Sequence, residues 1–368
     1  MKESAYRRIA KKWDELPMRC PRKGDDYSPA FLRYLEACFP AGEAEIVAVL
    51  EVSPRLKSAG QAAEELGLSP DRVAAVLRRL ADSYLINRIG EGYALPLIAN
   101  MINTLMLDEE KSDLAMLSAR LYQEYFIRDG YFRYYEGGIR ETPVMRAIAV
   151  NETVRARSET INIEIAEDVV GEAPEGTLTL TRCPCRSRTE KLGIRECKDK
   201  FPVASCLMMG MSGIYFQGEG RGRKVDPSEA KKYLREMAQL GLVLTTDNFR
   251  DPNHLVICAC CGCCCSQTRG VTRWNHPLAV NRANFLPRFS EECVGCGTCA
   301  KRCVFKAITL VEKKARLDEK LCRGCGVCVL GCKKGAVKLE ALEPARSQIF
   351  DTGRDLFRKI KAENHPAA

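Results

Sequence analysis

The chain predicts a multidomain α+β protein: a mainly helical N-terminal region, an α/β cysteine-rich middle domain and a small cysteine-repeat domain near the C-terminus. Three observations lead there. The chain has 368 residues, enough for two or three cores. Apolar periodicity of helical type dominates its first half. Its 20 cysteines fall almost entirely in the second half, and eight of them repeat.

The bulk numbers bound the class. Apolar content of 46% and charged content of 29% suit a soluble globular protein. The opening residues lack the apolar run of a signal peptide. No stretch reaches the roughly 20 apolar residues of a membrane helix. The longest candidate, 203–216, is interrupted by Ser205, Gly210, Ser212 and Gly213. Many cysteines without an export signal predict a reducing, cytoplasmic setting in which thiols ligate metals rather than form disulfides. The formal charge is +9. Anionic metal centres held by these thiolates would lower it, so basicity is weak support for a nucleic-acid partner.

Residues 1–95 read as a winged-helix-like domain. Tyr6 to Trp13 predicts a basic helix with one buried edge, a reading preferred over a membrane or partner surface. Pro17, Pro21 and Pro29 then mark a connector. Cys20 and Cys38 lie outside any ligand spacing and read as ordinary thiols. Helices are predicted from Glu43 to Leu50, from Ser58 to Leu66, and from Ser69-Pro70 onward, with Val73, Val76, Leu77 and Leu80 on one face. Leu85–Ile89, Gly90-Glu91-Gly92 and Tyr93–Leu95 predict a strand, turn and strand, which is the wing. Asp71, Arg72, Arg78 and Arg79 offer DNA a mixed rather than densely basic face. Packing or partner docking is the preferred role, because the cysteine-rich remainder of the chain points to metal chemistry rather than to DNA.

Residues 96–284 read as a helical and cysteine-rich middle domain. Helices are expected at 100–107, 114–127 and near 161–170. The aromatic group Tyr122, Tyr125, Phe126, Tyr131, Phe132, Tyr134 and Tyr135 reads as core or interface. Thr177 to Thr181 alternates like a strand and delivers Cys183-Pro184-Cys185-Arg186. With Cys197 and Cys206 this gives four thiols competent for a [4Fe–4S] cube or a structural zinc; a third cluster is preferred, with zinc as the alternative. Arg182, Arg186 and Arg188 beside them would stabilise a dianionic cluster. Asp226-Pro227 and Gly241 bracket a helix, and Leu242 to Thr246 predicts a strand.

Next come Cys258, Cys260, Cys261, Cys263, Cys264 and Cys265, six thiols in eight residues. They cannot all reach one cube, and neighbours in an extended chain point apart. Spacing does not partition them. His254 and His276 flank the stretch and read as packing residues rather than ligands.

Residues 285–342 contain Cys293-x2-Cys296-x2-Cys299-x3-Cys303 and Cys322-x2-Cys325-x2-Cys328-x3-Cys332. An offset of 29 residues superposes all four cysteines, Gly295 on Gly324 and Gly297 on Gly326. Three thiols on a tight loop reach three irons of a cube, and the last cysteine of each run serves the other cluster. Cys293, Cys296, Cys299 and Cys332 are therefore assigned to one cluster, and Cys322, Cys325, Cys328 and Cys303 to the second. The glycines let the loop wrap a cube and point N–H groups at its sulfurs. Zinc sites or disulfides are the disfavoured alternatives. The stretch resembles a bacterial dicluster 2×[4Fe–4S] ferredoxin domain, with Val304 and Lys333 where that family usually has proline. Residues 343–368 read as a basic amphipathic tail with Ile349, Phe350, Leu356 and Ile360 on one side, packing on the ferredoxin domain or a partner.

Over most of its length the chain also resembles a family of bacterial and archaeal iron–sulfur proteins. The resemblance rests on Tyr93-Ala94-Leu95-Pro96, Cys183-Pro184-Cys185-Arg186, Cys197, Cys206, the Cys258–Cys265 stretch and the ferredoxin repeat. It implies iron–sulfur binding in anaerobic metabolism and supplies no substrate. No nucleophile, acid–base pair or nucleotide loop stands out. The expectation is an electron carrier or oxidoreductase subunit working with a redox partner protein, rather than a stand-alone enzyme. A redox-sensing winged-helix regulator is the alternative.

Overall fold

The computed structural model describes residues 3–139, 141–150, 153–154, 165–342 and 345–366. It divides into two compact units, Met1–Tyr135 with Ser187–Ile194 and Lys361–Ala368, and Glu136–Arg186 with Arg195–Ile360. Among the described residues no helix is long and apolar enough to cross a membrane.

The first unit is mostly helical. The helix Ala5–Asp14 starts where the Ser4 side chain accepts from Arg7 N–H, and it buries Ile9, Ala10 and Trp13 on one edge. Three of its four cations are engaged: Arg7 pairs with Asp26, Arg8 with Glu45 and Lys12 with Glu51. The stretch read as a proline-marked connector contains the helix Pro29–Cys38, capped by Ser28. Serine followed by proline at the first helical position was the signal for it. Helices Ala41–Ala48, Ala59–Leu66 and Pro70–Asp82 follow. Ser58 and Gln61 form a reciprocal capping box, and Gly67 stops the helix in a left-handed conformation.

A three-stranded antiparallel sheet places Gly92–Ala94 between Lys57–Ser58 and Asn87–Ile89. The short strand Lys57–Ser58 has no counterpart in the sequence reading. Helices Ile98–Asn103 and Asp113–Tyr122 belong to this unit because their aromatic continuation packs on the earlier helices. Phe31 and Tyr34 contact Tyr125, Tyr122 stacks on Phe126, and Phe126 meets Tyr131 and Tyr135. Tyr122, Tyr125, Phe126, Tyr131 and Phe132 are core, as expected, and Tyr134 and Tyr135 are half-buried. Cys20 and Cys38 are buried there. Burial raises the Cys38 thiol to about 12, which keeps it inert at neutral pH.

The second unit is built on a six-stranded sheet in which all pairings are antiparallel. Its order is Met145–Ile148, Val243–Asp247, Val256–Cys260, Ser205–Met208, Thr179–Arg182, Arg223–Lys224. Side chains alternate across it. One face carries Ile148, Leu180, Leu207, Leu244, Ile257 and Ala259 into a core closed by Ala166 and Val169 of helix Ala166–Glu172 and by Ala230 and Leu234 of helix Pro227–Leu240. Residues 161–164 of the helix expected near 161–170 lie outside the described residues.

The opposite face presents Ala147 and Val243, which pack with Phe305 and Val327 of the C-terminal repeat. That repeat pairs Phe285–Phe289 with Val337–Ala341 and folds Ile308–Val311 back on Lys314–Leu317. The helix Gly353–Asn364 corrects an expectation. Its Leu356 and Ile360 pack with Val144, Met145 and Phe249, at the edge of the six-stranded sheet, rather than on the ferredoxin domain. The flanking chain joins there too, through a bridge between Phe249 and Phe350.

Candidate metal centres

In the C-terminal repeat, backbone conformation repeats with the cysteines. Gly295, Gly297, Gly324 and Gly326 have φ of 67°, 75°, 68° and 72°, and each pair precedes a short helix, Thr298–Arg302 or Val327–Leu330. A side chain is excluded as well as strained at Gly295, where a Cβ would stand 2.2 Å from the Lys313 carbonyl oxygen.

Cys303, Cys322, Cys325 and Cys328 line one cavity, together with Phe305, Val327 and Leu339. The first run's last cysteine thus joins the three leading cysteines of the second run. Ala307 N–H points at the Cys303 sulfur at 3.3 Å and Gly324 N–H at the Cys322 sulfur at 3.4 Å. Burial pushes the Cys325 thiol up to about 12 and raises Cys322 and Cys328. Bare thiols here hold their protons, and a bound metal must displace them. Four convergent thiols, N–H donors and apolar walls fit an iron–sulfur cube. Of the other set, Cys293, Cys299 and Cys332 pack around Ile308 and Val337, while Cys296 is exposed.

The middle-region thiols are sorted by strand register. Cys258 lies opposite Cys206, and Thr181 lies opposite Cys206 on the far side. Cys183 continues that strand, its N–H bonded to the Ala204 carbonyl. Period-two alternation then puts Cys183, Cys206, Cys258 and Cys260 on one face. Cys185, in the first turn of helix Pro184–Lys191, and Cys265, after the turn, complete the set. The Cys258 and Cys206 sulfurs are 3.4 Å apart, and those of Cys265 and Cys260 3.2 Å. Cys183 neighbours Cys185 and Cys206, Cys258 neighbours Cys206 and Cys260, and Cys265 neighbours Cys185 and Cys260. Each thiol touches two others, and the contacts close a ring of six.

Cys261 follows Ile257 and Ala259 onto the other face. There Cys197, Cys261, Cys263 and Cys264 bring their four sulfurs within 4.8 Å of one another. The grouping of Cys197 with Cys183, Cys185 and Cys206 is therefore corrected: the turn that carries Cys197 brings its sulfur to those of Cys261 and Cys264 on the other face.

Of the three arginines beside the first cysteine pair, Arg186 serves the thiols. It is 1% exposed and donates to the Val203 and Ala259 carbonyls at 2.6 and 2.8 Å. Burial works against its charge, but Cys183, Cys261, Cys260 and Cys206 around it outweigh that and hold its pKa above the ordinary value. Arg188 instead lies over the Tyr122 ring at 3.6 Å and donates to the Ile102 carbonyl and Asn103 Oδ1. His254 stacks on Phe249 and meets Thr246 Oγ1 at 3.3 Å, and His276 faces Glu136 at 3.8 Å.

Sequence reasoning missed the groups that address the ring from outside it. Thr245 Oγ1 lies 3.4 Å from the Cys260 sulfur. Ser266 N–H donates to Cys185, and Gln267 N–H to Cys265, both at 3.4 Å. The C-S-Q turn after Cys265 was visible, but nothing local said where its N–H groups would point.

Residues 292–347 match the family model described as a 4Fe-4S dicluster domain. No curated protein and no solved structure matches the chain. The C-terminal part of the chain is thus a 4Fe–4S dicluster domain, preceded by a cysteine-rich middle region.

Proposed function

We propose that this chain is an iron–sulfur electron-transfer protein, a relay or subunit of an anaerobic oxidoreductase system, in which two ferredoxin-type cubanes serve a further iron–sulfur centre in the middle region. One observation carries the reading. Val243 lines the cavity of Cys303, Cys322, Cys325 and Cys328, and in the sheet it lies directly opposite Cys260 of the six-thiol ring. One residue's thickness thus separates the ferredoxin ligands from the ring.

In this reading Cys293, Cys296, Cys299 and Cys332 hold one cube and Cys303, Cys322, Cys325 and Cys328 the other. When bound, the cubes supply one-electron chemistry. The chain's own residues do the rest. Phe305, Val327 and Leu339 exclude water from the second site. The exposed Cys296 edge faces a redox partner protein. Arg186 supplies fixed positive charge to the ring, whose six thiols are the preferred seat of the third centre. The setting is cytoplasmic.

The test is iron and acid-labile sulfide per chain on anaerobically purified protein, with EPR of the reduced sample. About twelve or more of each supports the further centre, at four per cubane; about eight leaves a plain two-cluster carrier with the ring as zinc or free thiols.

A second reading has its own observation. Within the first unit, residues 41–94 order helix, strand, helix, helix, strand, strand, the order of a winged helix, and Arg72 and Arg78 of helix Pro70–Asp82 are exposed. A redox-sensing regulator would bind a specific duplex with steep salt dependence. Absence of a footprint in both redox states removes it.

A further inference from the structure

We propose that Cys197, Cys261, Cys263 and Cys264 hold a single tetrahedral metal ion, zinc or mononuclear iron, at a site separate from every iron–sulfur cluster of the chain. Such a site lies beyond the electron-transfer reading and does not rest on it.

The distances carry it. The Cys197 sulfur is 3.9 Å from that of Cys261 and 3.7 Å from that of Cys264, and the Cys263 sulfur is 3.7 Å from Cys261 and 3.6 Å from Cys264. One ion bound at about 2.3 Å by four thiolates in a tetrahedron spaces the sulfurs by about 3.8 Å. A cubane puts a different iron behind each thiolate and spreads the sulfurs well beyond that.

The same chain supplies the control. The eight cysteines of the dicluster domain all lie among the described residues. Yet there no three of the eight sulfurs come within 4.8 Å of one another, whereas these four do. The six-thiol ring is likewise too wide to gather on one ion.

The surroundings fit a closed structural site. Cys261 and Cys264 are 1% exposed and Cys197 is 6% exposed, packed in the apolar core with Phe201. Four protein thiolates leave no open position for substrate. Neighbouring groups hold the loop in shape: Thr268 Oγ1 donates to the Cys261 carbonyl at 2.6 Å and Thr272 Oγ1 to the Gly262 carbonyl at 2.7 Å. Arg273 grips Glu196, beside Cys197, through two bonds of 2.7 and 2.5 Å. The ion would tie the 197 segment to the 261–264 turn and so fix which way Cys260 and Cys265 face.

The experiment uses the full chain, purified anaerobically, with zinc, iron and sulfide measured together and X-ray absorption at the edge of the metal found. The expected result is one ion per chain in excess of the iron matched by sulfide, with four sulfur neighbours and no metal neighbour. Protein grown on cobalt should show the visible bands of a tetrahedral cobalt–thiolate centre. Cys263→Ser should lose this ion and keep the reduced-state EPR of the ferredoxin clusters. A zinc edge identifies a staple, and a sulfide-free iron signal identifies a redox-active single ion; either supports the proposal. Loss of about four iron and four sulfide in Cys263→Ser overturns it. So does wild-type protein with no excess ion and no cobalt centre, a result that does not depend on any variant folding.

Discussion

In the C-terminal repeat, cysteines sit three residues apart on glycine turns, and chain proximity groups them. In the middle region they sit on strands, and the sheet groups them. Cys293, Cys296 and Cys299 stay together whatever the rest of the protein does. Cys260 and Cys261 are adjacent in the chain, yet they belong to different sites because an extended backbone sends successive side chains to opposite faces. The comparison teaches that thiol density is not ligand grouping: loop spacing is a local property, whereas register is a tertiary one.

The sharpest way to break this comparison is to remove one thiol from each class. Cys325→Ser should lose about four iron and four sulfide and one reduced-state EPR signal, and Cys303→Ser should lose the same cluster despite belonging to the other run. If the two variants lose different clusters, the crossed ligation is wrong. Cys260→Ser and Cys261→Ser should diverge in metal analysis, the first disturbing the ring's metal and the second the single ion. Matching losses would erase the division between the faces.

Smaller effects concern the supports. Arg186→Gln removes a buried charge bonded to two carbonyls and placed among thiols; unpaired buried groups cost about 1–3 kcal/mol each. Anaerobic thermal unfolding should show the loss, and Arg186→Lys should recover little because one ammonium cannot span both carbonyls in the same fork. Gly324→Ala forces a left-handed residue to carry a Cβ 2.7 Å from the Phe285 carbonyl oxygen. The cost should be roughly 1–3 kcal/mol by the same unfolding measurement.

The smallest effect is electrostatic. Burial lowers the His254 pKa to about 3, from an ordinary value of 6.5. The neutral imidazole therefore contributes stability that is present above about pH 6.5 and lost as pH falls towards 3. Asp247, raised to about 6 by burial, works in the opposite sense: its contribution is present below about 3.8 and lost as pH rises through 6. His254→Gln should flatten the acid side of the stability profile, and an unchanged profile would remove His254 as its cause.

Much of the architecture was legible because helix ends are local. Ser69-Pro70, and Asp226-Pro227 with Gly241, marked helices that formed where expected. The helix Pro29–Cys38 was hidden only because its proline was read with two others as a connector. The strand Ser205–Met208 was harder: its apolar run carries Cys206 towards the ring and Leu207 into the core, and no short-range pattern says which side is which. Arg186 and Arg188 looked equivalent in the sequence, yet one lies among thiols and the other on an aromatic ring.

By itself the sequence determined the eight ferredoxin thiols and their turns, because three ligands on one glycine loop are set by spacing and backbone freedom that no distant residue alters. Only the tertiary structure decided how the ten thiols of the middle region divide. That division depends on which strands pair and in what register, and a one-residue slip would send every cysteine of a strand to the opposite face.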